Sequence, residues 1–174
     1  CSCIMILNVL ISKILYSGDF ANAWQFVPPL LLSVVFNAMA LFIGSIFTAV
    51  KDTKTLSYTT IIGALINTFM NFILISFFGA YGASIATVIG YFVVLVLRNI
   101  ALKKYIKIKT NMILNYFSYL LLLFQTVLAY FGNRFIVPQL IILTLILLIY
   151  RDHIRLIFSS LKTLMDVKLR KRKI

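Results

Sequence analysis

The 174-residue chain is 62% apolar and 12% charged, and its 17 Lys and Arg oppose 4 Asp and Glu for a formal net charge of +13. Soluble domains average about 45–50% apolar and about 25% charged residues, so this chain has too few polar side chains to cover a core, and the apolar surplus must face lipid. The cations do not describe a nucleic-acid site, because they lie between or beyond apolar runs instead of lining one helical face.

Crossing about 30 Å of hydrocarbon takes about 20 residues of helix. Apolar runs at about 4–16, 24–50, 55–78, 82–102, 111–131 and 135–150 predict an all-α, polytopic transmembrane bundle of about six spans. The chain opens at Cys1 inside an apolar stretch with no initiator Met, so the expectation is a fragment with a truncated first span. Cys1 and Cys3 have no second pair or nearby His, which makes inert thiols the reading and leaves no metal or cofactor expected.

The first run carries Lys13 about one turn before its outer loop. The second begins at Pro28 and Pro29, where missing amide hydrogens cost least, and carries a line of Ser33, Asn37, Ala40, Gly44 and Thr48. In the third, Thr59, Gly63, Asn67 and Asn71 recur every four residues and form one stripe on a helix otherwise made of Ile, Leu, Phe and Met. Amides facing lipid are costly, so this stripe faces other helices or a polar cavity; interhelical bonding and cavity lining are both open. The fourth run has Gly82, Ala86 and Gly90 as a close-packing edge, with Gly79 and Gly82 suited to a tight reversal before it. Arg98 stands about one turn inside its inner end and, like Lys13, reads either as a snorkelling anchor or as a cavity cation for an anionic lipid phosphate. The last run is bounded by Arg134 and Arg151, which extend it by snorkelling.

Connections at 17–23, 51–54, 79–81, 103–110 and 132–134 are short and force successive helices antiparallel. Placing alternate loops on opposite sides puts every Lys and Arg except Lys13 and Arg134 on one side, which the positive-inside rule makes cytoplasmic. Residues 151–174 are too polar to span. Ile154, Ile157, Phe158, Leu161, Leu164 and Met165 fit a basic amphipathic helix on the cytoplasmic leaflet, and a solvated tail is the alternative. The lone His153 and the acids Asp19, Asp52, Asp152 and Asp166 all lie outside the apolar runs, so no acid–base or nucleophilic constellation can be assembled and an enzyme is not expected.

Several stretches together resemble one family. They are Tyr16-Ser17-Gly18-Asp19-Phe20-Ala21-Asn22-Ala23-Trp24, Ala49-Val50-Lys51-Asp52-Thr53-Lys54, Gly63 with Asn67 and Asn71, and Phe78-Gly79-Ala80-Tyr81-Gly82-Ala83-Ser84-Ile85-Ala86-Thr87. Residues 14–104 resemble the C-terminal half of polysaccharide repeat-unit flippases, within the superfamily of multidrug and oligosaccharidyl-lipid exporters. The resemblance implies one lobe of a two-lobe exporter that moves undecaprenyl-diphosphate-linked oligosaccharide across the bacterial plasma membrane by alternating access. It further implies as partners membrane lipid, the lipid-linked glycan, an N-terminal lobe and glycan polymerase machinery. Ser33, Asn37, Asn67, Asn71, Lys13 and Arg98 become the substrate-cavity candidates, and Gly63, Gly82, Ala86 and Gly90 the packing positions. An exporter of drugs or other lipid-linked substrates, or a noncatalytic scaffold of glycan assembly, are the alternatives.

Overall fold

The computed structural model describes residues 1–15, 24–105, 112–131, 135–151 and 155, and the side chains of all of these except 9, 10, 12–15 and 112–116. It is all-helical: α1 (Ser2–Leu15), α2 (Val27–Ala49), α3 (Thr53–Leu102), α4 (Met112–Tyr130) and α5 (Ile136–Ile149). The amphipathic reading of residues 151–174 falls almost entirely outside the described residues.

Of the described helices, two are long and apolar enough to cross a membrane, α2 and α3, and this corrects the expectation of about six spans. The physical reason is helix length. Helix α5 has 14 residues, about 21 Å of rise against about 30 Å of hydrocarbon. The part of α4 with described side chains, Phe117–Tyr130, also counts among the shorter apolar helices. The runs at 55–78 and 82–102 join into one element, the 50-residue α3.

As a straight rod α3 would measure about 75 Å. It folds instead at Gly79, whose φ of 56° and ψ of −138° interrupt the helix in a region that L side chains avoid. The two arms, 53–78 and 80–102, return alongside each other, and their contacts run in reverse order. A Cβ on Gly82 would lie 2.1 Å from the Leu74 carbonyl oxygen, one on Gly90 would lie 2.8 Å from the Asn67 Cβ, and one on Gly63 would lie 2.1 Å from a Val94 methyl. Glycine at these three positions lets the arms approach at backbone distance.

The core lies where α2 meets the second arm. Leu32, Phe36, Ala40, Ile43 and Phe47 of α2 pack with Val94, Leu95 and Leu102 of α3 and Met5 of α1. Phe36 binds three helices together, its ring 5.3 Å from that of Phe92 and 5.6 Å edge-on to that of Tyr119 in α4. The first arm contributes little to this core. Tyr58, Leu65, Phe69, Phe72 and Phe77 are bare, the last two 77% exposed, a surface that suits lipid and not water.

At the end where α2 gives way to α3, Lys51 takes a left-handed φ of 60° and Asp52 caps α3. The Asp52 carboxylate accepts from the Thr55 amide at 3.2 Å, the Thr55 hydroxyl at 2.6 Å and the Tyr105 hydroxyl at 2.6 Å. The Tyr105 ring also sits edge-on to Phe47 at 5.9 Å, so a residue just beyond the far end of α3 locks the turn that starts it. The Thr55 hydroxyl, then the Tyr105 hydroxyl and the Thr55 amide, hold the Asp52 carboxyl below the usual carboxylate range, while the bond to Asp52 raises the Tyr105 phenol above its ordinary value.

Two outcomes follow from this architecture. Gly82→Ala is expected to destabilise by about 1–3 kcal/mol or more, because the clash is with backbone and outweighs the helix-propensity gain of about 1 kcal/mol; thermal melting of the purified protein in detergent checks it, and a wild-type Tm would mean that the arms meet elsewhere. The Asp52–Tyr105 tie holds between the lowered Asp52 value and the raised Tyr105 value, is lost as pH falls through the former, and is lost again as pH rises through the latter. Tyr105→Phe is expected to move the Asp52 carboxyl upward but not fully to the ordinary range, since Thr55 remains, as a carbon-13 carboxyl NMR titration would show.

Candidate functional site

A cavity of about 280 Å³ lies between α2 and both arms of α3. Asn37 reaches it from α2, Thr60, Gly63 and Asn67 from the first arm, and Thr87, Tyr91 and Arg98 from the second. Its most unusual member is Arg98, 4% exposed. The guanidinium does not snorkel toward the nearby helix end. It reaches across to α2, where Nη1 donates to the Ala40 carbonyl at 2.6 Å, while Nε donates to the Thr59 hydroxyl at 3.2 Å and Nη2 to the Thr60 hydroxyl at 3.0 Å.

The two threonines are oriented for this by their own helix. Both hydroxyls donate to the Leu56 carbonyl, Thr59 at 3.0 Å and Thr60 at 2.9 Å, which leaves their oxygen lone pairs turned to Arg98. The space comes from Gly44 on α2, where a Cβ would stand 2.9 Å from Arg98 Nη1 and 3.1 Å from a Leu56 methyl. Among the described residues the only carboxylate is Asp52, and Thr55 and Tyr105 occupy it. The acceptors around Arg98 are therefore all neutral, and they solvate a full positive charge without cancelling it. That is an expensive arrangement in a buried site unless an anion also visits it.

Asn67 and Asn71 hydrogen-bond each other, Asn71 Nδ2 donating to Asn67 Oδ1 at 3.2 Å, and Asn71 Oδ1 is buried with no partner. Asn71 faces a second, more open cavity of about 480 Å³, with Thr68, Phe72, Ile75 and Ser76. The structure thus brings Asn37, Asn67 and Arg98 to one cavity and hangs Asn71 on its edge. Ser33 is buried but bonds the Leu30 carbonyl of its own helix at 2.7 Å and does not line the cavity. Lys13 belongs to α1, and its side chain lies outside the described ones. Of the packing positions, Gly63, Gly82 and Gly90 sit where the arms touch, and Ala86 between them is fully buried.

Sequence reasoning named Gly44 only as part of a line of small and polar residues and Thr87 only within a family stretch, and it passed over Thr60, Tyr91 and a second polar cluster. Gln125 of α4, 0% exposed, accepts from the Ser2 hydroxyl at 2.8 Å and donates to the Ser2 carbonyl at 3.3 Å, while Asn8 of α1 donates to the Trp24 carbonyl at 2.6 Å. The signal for Gln125 was available, as an amide inside an apolar run like Asn67. Thr60 had no such signal, because its role depends on where Arg98 points. Among the described residues no group of His, Cys, Asp and Glu is placed to hold a metal ion.

No protein-family model, curated protein or solved structure matches the chain.

The Gly44–Arg98 contact makes a prediction with a change of sign. In the wild-type background Gly44→Ala is expected to destabilise by about 1–3 kcal/mol through crowding of the guanidinium. With Arg98→Leu already present, the same change is expected to be neutral or to stabilise by about 1 kcal/mol through helix propensity. A double-mutant cycle on melting temperatures checks it, and additive effects would separate the two residues.

Proposed function

We propose that this chain is a membrane-embedded component of a transporter that flips undecaprenyl-diphosphate-linked oligosaccharide from the cytoplasmic to the outer leaflet of the bacterial plasma membrane, with its basic side and C-terminus in the cytoplasm. The observation that carries the reading is Arg98, a buried cation with no carboxylate among the described residues, at a cavity that also holds Asn37 and Asn67. The stretches within residues 14–104 that resemble repeat-unit flippases support the same class of cargo.

The physical task needs no covalent step. A sugar headgroup and its diphosphate require a polar shelter through the hydrocarbon, and the polyprenyl chain can stay in lipid throughout. Neutral amides such as Asn37 and Asn67 exchange hydrogen bonds with hydroxyls without holding them too tightly to release, and a guanidinium pairs with phosphate oxygens in a fork. The bare apolar faces of α2 and the first α3 arm, with Phe42, Phe69 and Phe72, suit contact with lipid tails and with the polyprenyl chain.

At about 280 Å³ the cavity is smaller than the roughly 300–1,000 Å³ of pockets that enclose drug-sized ligands. An oligosaccharide therefore needs a further wall, which in this reading an N-terminal lobe supplies, and alternating access is the movement of that lobe against this one. Membrane lipid, the lipid-linked glycan and, downstream, glycan polymerase machinery are the partners that the reading requires.

Replacing Asn67 and Asn71 together with Leu in the full-length protein is expected to lower glycan export about tenfold, the loss of two neutral hydrogen bonds to sugar. Surface polysaccharide measured at normal protein level checks this. Unchanged export would remove both amides from the transport path.

A further inference from the structure

We propose that the α3 hairpin carries a two-point ligand track, with an anion seat at Arg98 of the second arm and a hydroxyl seat at Asn71 of the first, which reads a lipid-linked glycan in one orientation. The proposal rests on the transport reading above and goes beyond it by assigning which end of the headgroup lies where.

The anion seat follows from counting donors. A guanidinium has five N–H groups, and three of those of Arg98 are used, by Ala40, Thr59 and Thr60. The other two have no acceptor among the described residues, and the side chain lines the cavity. An oxyanion entering there finds a cation already desolvated, oriented and held from behind, so no charge has to be moved into place on binding. Phosphate chemistry fits this seat, whether from a polyprenyl diphosphate or from the headgroup of an ordinary anionic lipid.

The hydroxyl seat follows from the amide pair. One hydrogen bond joins Asn67 and Asn71 and leaves Asn71 Oδ1 buried and unpaired beside the second cavity. A buried amide oxygen without a partner costs free energy that a ligand can recover. A hydroxyl, which both donates and accepts, completes the pair whichever way the amide is turned. Asn67 lines the first cavity and Asn71 the second, so the amide pair is the step between them.

The two seats are spaced along one helix. Arg98 is held at the level of Thr59 and Thr60, and Asn71 lies eleven to twelve residues further on, about 17 Å of rise. A diphosphate at Arg98 therefore places the sugar nearest the lipid by the inner cavity and a sugar one or two residues further out by Asn71. A bare polyprenyl diphosphate fills only the first seat.

The test titrates undecaprenyl diphosphate, with and without an attached disaccharide, onto the full chain in phosphatidylcholine nanodiscs. Arg98→Gln is expected to weaken both ligands about tenfold or more. Asn71→Leu is expected to weaken the sugar-bearing ligand about threefold to tenfold and leave the bare one unchanged. Loss of both ligands alike on Asn71→Leu, loss of neither on that change, or loss of neither on Arg98→Gln would overturn the track. Repeating the titration with half the lipid replaced by phosphatidylglycerol separates the sources of phosphate: if the Arg98 dependence vanishes, an ordinary lipid headgroup occupies the seat and the track is wrong. Failure here with export still impaired by the Asn67 and Asn71 double replacement would sink the track alone. Intact two-point binding with normal export would instead sink the transport reading.

Discussion

A guanidinium held by one carbonyl and two hydroxyls fixes where α2 can lie against the α3 hairpin. Arg98 takes the Ala40 carbonyl from one side and Thr59 and Thr60 from the other, so a single side chain spans all three walls of the inner cavity. Each contact has a precondition elsewhere in the fold. Thr59 and Thr60 present lone pairs because their protons go to Leu56, and the bond to Ala40 forms because Gly44 leaves room for the guanidinium. The hairpin must close for Thr59 to meet Arg98 at all, and that closure needs bare backbone at Gly63, Gly82 and Gly90. Polar chemistry in this protein is thus arranged by small residues, which admit it to places where apolar packing would otherwise be complete.

Much of the fold was legible in the residues, and the parts that were not share a cause. The run at 24–50 became Val27–Ala49 with prolines in its first turn, and the runs at 55–78 and 82–102 became the arms on either side of Gly79. Periodicity and turn residues carry that information locally. The number of spans was overestimated in part because α5 nearly fills its run at 135–150 and still has only 14 residues, about 21 Å of rise, and in part because the runs at 55–78 and 82–102 form one helix. In the site, Asn37, Asn67 and Arg98 were legible as costly groups in an apolar setting. The direction of the Arg98 side chain was not, since it depends on a gap at Gly44 more than fifty residues away in sequence. Ser33 looked like Asn37 in the pattern, yet a short hydroxyl can satisfy itself on its own helix where a longer amide cannot, and it bonds Leu30 instead of lining the cavity.

The apolar surface and the buried cation make sense only together. Phe72 and Phe77 stand almost fully bare on an arm that adds little to the core, which asks for a hydrocarbon environment around it. Arg98, carried by the other arm and held against the inner side of this one through Thr59 and Thr60, is 4% exposed, and in such a low-dielectric setting its pull on any anion is stronger than in water.

The reciprocal pair between Ser2 and Gln125 joins residues 123 positions apart. Ribosomal synthesis runs from the amino end, so α1 exists long before the helix that satisfies its first turn. Met5 can settle early against Leu32 and Phe36 of α2, but the amide clasp waits until α4 has been made. Of the described helices, the one made first is therefore among the last to be fastened.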